Sequence, residues 1–224
     1  MCLLWTGRVC TVSLAWRGGD HTLQHNDIRN IVYSFSERAR LSPEREAAGL
    51  LADLPNPEER RRPADVLVCS GAVFAKKLPD GTLERMPPRI AFDFAVVNAL
   101  GRGHWRETFQ EPGAAASAYA EKKRRYRNTA QQCEDAGVRF QPIVFESQGG
   151  MTKEAGAILH VLARAVAQAE NLEFQRVRDD LLQTVALGLA RHRASAIKRR
   201  RALPNNVGAT AAQREIERSM ALEI

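Results

Sequence analysis

The stretch Ile90-Ala91-Phe92-Asp93-Phe94-Ala95-Val96-Val97 is rich in the β-branched and aromatic residues that favour strands and is apolar on both sides of its one charge. A strand over about 89 to 97 is expected, buried on both faces, and a carboxylate inside it is costly unless it is paired or bound to a cation. A second acid, Asp65, stands in Arg62-Pro63-Ala64-Asp65-Val66-Leu67-Val68, another short apolar run with strand character. Downstream, a helical stretch carries Lys122 and Lys123. Acid, acid, lysine is the set that metal-dependent phosphodiester hydrolysis requires. Carboxylates hold a hard divalent cation that polarises the phosphate and generates hydroxide, while an ammonium orients the water or neutralises charge building on phosphorus. Aspartates at strand ends are also common turn formers and solvated edge residues, so the expected burial makes Asp93 the stronger candidate.

Working outward, Ile28, Ile31, Val32, Phe35 and Ala39 recur at helical spacing behind the capping candidates Asn26 and Asp27, which predicts a helix over 26 to 40. Pro55-Asn56-Pro57 marks a loop over 52 to 63. Strands over 64 to 69 and 72 to 78, a turn at Pro79-Asp80-Gly81 and the strand of Asp93 predict an antiparallel meander. A loop with Gly101, Gly103 and Gly113 leads into a helix over 113 to 136, closed by Gly137. On it Tyr119, Tyr126, Ala130 and Cys133 form an apolar stripe, and Lys122 and Lys123 both border it, so that either can reach along it towards the sheet. A strand over 138 to 146, a break at Gly149-Gly150, a helix over 152 to 169 capped by Thr152 and a long helix over 172 to 201 complete the pattern. Helices alternating with strands give an α/β protein with a mixed central sheet flanked by helices and a helical C-terminal extension.

With 224 residues, a net charge of +7 and a pI near 9.6, the chain is long enough for a sizeable core and is strongly basic. No apolar run approaches the roughly 18 residues of a membrane span. A soluble globular protein is expected. Arg8 interrupts the apolar start Met1-Cys2-Leu3-Leu4-Trp5, which argues against a signal peptide, and Cys2, Cys10, Cys69 and Cys133 lack the spacing of a disulfide framework, which points to a reducing compartment. Cys2, Cys10, His21 and His25 form a poor zinc set, because seven residues separate the cysteines where two to four are usual. The basic residues cluster in Lys122-Lys123-Arg124-Arg125-Tyr126-Arg127, in Arg60-Arg61-Arg62 and in Lys198-Arg199-Arg200-Arg201. Such runs match the footprint of a phosphate backbone, although a basic helix face is also simply well solvated.

Arg62-Pro63-Ala64-Asp65 on one strand, Phe92-Asp93-Phe94-Ala95-Val96 on another, Tyr119 with Lys122-Lys123 on a helix, and Pro142-Ile143-Val144-Phe145-Glu146 before Gly149-Gly150 resemble the restriction-endonuclease-like domain of the PD-(D/E)XK superfamily. The form they resemble is the one at the C-terminal end of certain non-LTR retrotransposon polyproteins, downstream of the reverse transcriptase. The resemblance covers about 25 to 165. It implies a restriction-endonuclease-like core and a Mg2+- or Mn2+-dependent DNA endonuclease that nicks target DNA, with Asp65 and Asp93 as metal ligands and Lys122 or Lys123 as the catalytic cation. His25, in His25-Asn26-Asp27-Ile28-Arg29, resembles the family's basic-histidine motif. Glu46 takes the place of an additional acid, with Glu44 competing for it. Glu146 is either an acid that orients the lysine or a metal-bound water, or an edge residue facing solvent.

On this reading Arg62, Arg124, Arg125, Arg127, Lys198, Arg199 and Arg200 contact DNA, retroelement RNA is a second partner, no membrane is involved, and the protein is intracellular and works in the nucleus. The chain divides into a partial or degenerate segment over 1 to 23, a nuclease domain over 24 to 169, a basic helical extension over 170 to 203 and a peripheral tail over 204 to 224. Three departures from the family pattern stand out. Ala95 occupies the usual lysine position, the two acids are widely spaced, and no reverse-transcriptase sequence is present. The alternative is a catalytically inactive nucleic-acid-binding remnant; a third possibility is a zinc-dependent interaction module at the N-terminus.

Overall fold

Four strands form one sheet in chain order: β1 (Pro43–Arg45), β2 (Val66–Val68), β3 (Arg89–Val97) and β4 (Val138–Glu146). The computed structural model describes residues 18–47, 50–51, 63–75, 79, 81–82, 87–99 and 111–202. β1 pairs antiparallel with β2, and β2 antiparallel with β3. β3 and β4 run parallel along their whole length, from Arg89 opposite Val138 to Val97 opposite Glu146. The helices are α1 (Gly18–Arg38), α2 (Ala114–Arg125), α3 (Thr129–Asp135), α4 (Lys153–Glu170) and α5 (Phe174–Ala202). This is an α/β protein with a mixed sheet flanked by helices and a helical C-terminal part.

Alternation along β3 and β4 sorts their side chains onto two faces. Ile90, Phe92, Phe94, Ile143 and Phe145 meet Ile28, Val32 and Phe35 of α1, Leu159 and Leu162 of α4, and Leu181, Val185 and Leu189 of α5 in the main core. Ala91, Val138 and Phe140 pack with Cys133 of α3, while Ala116 and Ala120 of α2 lie on Val144, Ala95 and Val97. Asp93 belongs to this second face. The small alanines let α2 come close to the sheet, so a charged residue on its flank can reach a strand side chain.

Thr152 caps α4 as its sequence predicts, accepting from the Ala155 amide at 3.0 Å. Other expectations fail: α1 begins at Gly18, so Asn26 and Asp27 lie within the helix and do not cap it. Where a strand over 72 to 78 is predicted, Gly71–Phe74 form a 3-10 turn, and residues 76–78 lie outside the described residues. Gly71 crosses so close to Pro87 that a Cβ there would sit 2.3 Å from its carbonyl oxygen, and Phe74 packs edge-on against Phe92. A turn therefore supplies the anchoring that the apolar pattern suggested for a strand. The antiparallel meander is instead completed by β1, a polar three-residue edge strand that the sequence pattern did not reveal.

The predicted helix over 113 to 136 is two helices, split where Arg127 and Asn128 adopt left-handed backbone at φ 47° and 55°. Asn tolerates that conformation, whereas Arg127 adopts it at a cost of order 1 kcal/mol. The break destroys the phase of the expected apolar stripe. Ala115, Ala116 and Ala120 are buried, whereas Tyr119 and Tyr126 are 37% and 56% exposed.

Candidate active site at the fork between β2 and β3

β2 and β3 part company just beyond Val66. The last backbone contact on that side is the Asp65 amide donating to the Phe92 carbonyl at 2.9 Å. Two residues further along, Phe94 turns its amide and carbonyl to the same side, where no strand among the described residues faces them, and side chains complete the ladder. Asp65 Oδ2 accepts from the Phe94 amide at 2.7 Å, and Lys123 Nζ donates to the Phe94 carbonyl at 3.3 Å. The fork thus draws one acid and one base into the sheet's open end.

Each acid has a basic partner. Lys123 Nζ lies 2.7 and 2.6 Å from the two carboxylate oxygens of Asp93, with both side chains about one-fifth exposed. His25 Nε2 on α1 donates to Asp65 Oδ2 at 2.9 Å, and its Nδ1 lies 3.3 Å from Asn26 Oδ1. Both ring nitrogens therefore face acceptor oxygens. The hydrogen bond to Asp65 is the main reason that the imidazole is held above its ordinary value, against burial and the charge of Lys123.

The two carboxyls differ. Burial pushes Asp93 up to about 6, and the neighbouring Asp65 pushes the same way, which together outweigh the ion pair with Lys123. Burial also works to raise Asp65, but the hydrogen bond and charge of His25, the Phe94 amide and Lys123 together hold it below the usual carboxylate range. One acid is poised near neutrality and the other is firmly ionised, a split that functional carboxylate pairs exploit.

Lys122 does not join this cluster; it is exposed, and its ammonium lies 6.0 Å from the centre of the Tyr119 ring. Glu146 does not face solvent. It is 2% exposed, and its Oε1 accepts from the amides of Ala115 and Ala116 at 3.1 and 3.4 Å. A carboxylate is thereby buried against the N-terminus of the helix that carries Lys123, where unpaired amides and the helix dipole favour negative charge. Gly150 makes room for it, since a Cβ there would lie 2.2 Å from Glu146 Oε2. Gly113, at φ 91°, passes as close to the Met151 carbonyl. Glu146 and its glycines fix where α2 starts and so where Lys123 ends up. Neither this capping role nor the need for Gly150 was read from the sequence; an acid ending a buried strand just before a glycine pair was the available signal.

Glu46 is exposed and paired with Arg29, although its amide, donating to the Asp65 carbonyl at 3.0 Å, keeps its backbone beside the fork. Glu44 is exposed on β1. Among the expected DNA contacts, Arg124 pairs with Glu121, Arg125 and Arg127 are exposed near the end of α2, and Lys198 is exposed on α5. Arg199 and Arg200 continue α5, whereas Arg62, Cys2 and Cys10 lie outside the described residues. His21 lies on α1, and His25, the remaining member of the zinc set, is committed to Asp65.

Among the described residues no three His, Cys, Asp or Glu side chains gather as a metal cage. Mg2+ asks for less: one or two carboxylates suffice where water and substrate phosphate complete the shell. Asp65 and Asp93 supply hard oxygen donors of that kind. The Lys123 ammonium, held by three oxygens at 2.6 to 3.3 Å, shows that a cation is accommodated at this point.

Comparison with protein-family models, curated proteins and solved structures gives no match for this chain. No described helix is long and apolar enough to cross a membrane.

Proposed function

We propose that the chain is a metal-dependent DNA endonuclease with a restriction-endonuclease-like core, and that it hydrolyses a phosphodiester at the fork between β2 and β3. The observation that carries this reading is the convergence of Asp65, just before β2, Asp93 on β3 and Lys123 on α2 at one largely buried point bordered by cavities. Asp65 and Asp93 would hold Mg2+ or Mn2+, which supplies Lewis acidity and a bound water of lowered pKa. Asp65 enters ionised because His25 and the Phe94 amide hold it so. Asp93 would serve as a ligand in its ionised form. Lys123 would donate to a phosphate oxygen and offset the charge that builds on it. Basic residues at the end of α2 suit a polyanionic substrate, and descent from a retroelement, with DNA nicking in the nucleus and RNA as a second ligand, fits the motif order.

The test is nicking of supercoiled plasmid with Mg2+ or Mn2+. The wild type should cut, EDTA should stop it, and Asp93→Ala should lower the rate by more than about 100-fold, since even the outer partners of metal ligands are worth 10- to 100-fold. Equal cutting by wild type and Asp93→Ala would sink the reading. The inactive binding remnant is favoured by one observation: each carboxylate already has a basic partner from the chain itself, His25 for Asp65 and Lys123 for Asp93. That version binds DNA in a salt-sensitive way and never cuts.

A further inference from the structure

Three concavities lie in series along α2, and Lys122 lines all of them. The first, about 830 Å3, extends from His25 past Phe94 to Tyr119. The second, about 420 Å3, lies beside Asp93 between Tyr119 and Tyr126. The third, about 460 Å3, continues past Tyr126 to Arg125. Each tyrosine is shared by two neighbouring concavities, so the rings act as partitions along one groove.

Cations accompany these rings. The ammonium groups of Lys122 and Lys123 each lie 6.0 Å from the Tyr119 ring centre, and the Arg127 guanidinium lies 5.5 Å from that of Tyr126. The apolar contacts of α2 with the sheet are made by its alanines, and both large aromatic rings keep an exposed face. Rings alternating with cations along a groove form the surface that recognises an unpaired nucleic-acid strand, whose bases stack while its phosphates meet positive charge. Intact duplex offers its phosphates but hides its base faces. A concavity of 420 Å3 falls in the range that encloses a small ligand, and it admits an extruded nucleotide.

We propose that this groove takes an unpaired stretch of the substrate strand, with bases against Tyr119 and Tyr126 and phosphates along Lys122, Arg125 and Arg127. The substrate class is then single-stranded or locally melted DNA. The proposal rests on the nuclease reading for its substrate, because the middle concavity borders Asp93 and Lys123, but it is testable apart from cleavage.

The experiment is fluorescence anisotropy with the full chain in EDTA, using labelled oligo(dT), a matched duplex, the same duplex with a central unpaired bubble, and heparin as competitor. Oligo(dT) and the bubble should bind about tenfold more tightly than duplex. Tyr119→Leu and Tyr126→Leu should each weaken oligo(dT) binding about tenfold without a matching loss on duplex, while Tyr119→Phe and Tyr126→Phe retain it. The proposal is overturned by equal affinity for single strand and duplex, by leucine variants that bind oligo(dT) like the wild type, or by heparin binding that shows the same tyrosine dependence. Tyrosine-dependent binding of unpaired DNA by a chain that never cuts would uphold the groove and remove the nuclease. Unchanged cutting of intact duplex by Tyr119→Leu would do the reverse.

Discussion

The two ends of α1 hold the same kind of interaction in opposite settings. Near its start, His25 meets Asp65 beside the Asp93–Lys123 pair, with the acids about four-fifths buried. At its last residue, Arg38 reaches Glu170 at 2.8 Å and Asp180 at 3.4 Å, with both acids well exposed. Exposure leaves Glu170 simply lowered by the Arg38 guanidinium, as an acid beside a cation should be. Burial reverses the outcome for Asp93, which stays raised even in contact with an ammonium. The Arg38 end ties α1 to α4 and α5, and solvent dilutes its worth. The His25 end gathers charge where water is scarce, which is costly for folding and useful for chemistry.

Lys123→Met separates the two ends most sharply. It should lower the metal-dependent nicking rate by about 10^2- to 10^4-fold, the range for losing a positioned proton donor, with oligonucleotide binding largely kept. If nicking survives, the Lys123 pair is as dispensable as the Arg38 pair.

Glu146→Ala comes next and is read by thermal melting. It leaves the Ala115 and Ala116 amides without their partner at a buried helix start, for a loss of about 2 kcal/mol and a fall in melting temperature of about 6 °C. Gly150→Ala should destabilise for the complementary reason, because its Cβ drives into Glu146. Unchanged melting in both would remove Glu146 as the anchor of α2.

A pH series of denaturant melts in EDTA distinguishes the acids. Asp93 has a folded-state value of about 6, above the ordinary 3.8, so the folded protein favours its protonated form and loses stability as pH rises from about 4 to 6. Asp93→Asn should flatten that interval. Asp65 is lowered, so its contribution is present above 3.8 and disappears as pH falls through its folded-state value. His25 is raised, and its contribution is complete below 6.5 and lost as pH rises through its folded-state value. A wild-type profile identical to that of Asp93→Asn between pH 4 and 6 would contradict the burial argument. Smallest of all, Arg38→Gln should leave the melting temperature nearly unchanged.

The part of the molecule that the sequence made legible is the part buried on both faces. β3 and β4 run over the residues expected of them, because a doubly buried strand is an uninterrupted apolar run with sharp ends. β1 was not legible: Pro43-Glu44-Arg45 is polar, and its pairing is dictated by β2. The fold of 71–74 was misread because a turn anchored by Phe74 shares its apolar pattern with a strand. Periodicity failed at Tyr119 and Tyr126 because Arg127 and Asn128 reset the helix phase, a backbone event with little local signature. At the site, the residue types were readable and their pairing was not. Lys122 and Lys123 both border Tyr119 in sequence, and only the close approach of α2 at its alanines brings Lys123 to Asp93. His25 meets Asp65 from 40 residues away, a separation that local pattern does not bridge.

Everything proposed for the fork depends on its being a divalent-cation site that the Lys123 ammonium closes at rest. Mn2+ titration followed by electron paramagnetic resonance at pH 7.5, on wild type, Asp93→Asn and Lys123→Met, tests this. The wild type should bind a stoichiometric ion, Asp93→Asn should lose it, and Lys123→Met should bind more tightly because no ammonium competes for the carboxylate. Identical Mn2+ binding by wild type and Asp93→Asn would contradict the account.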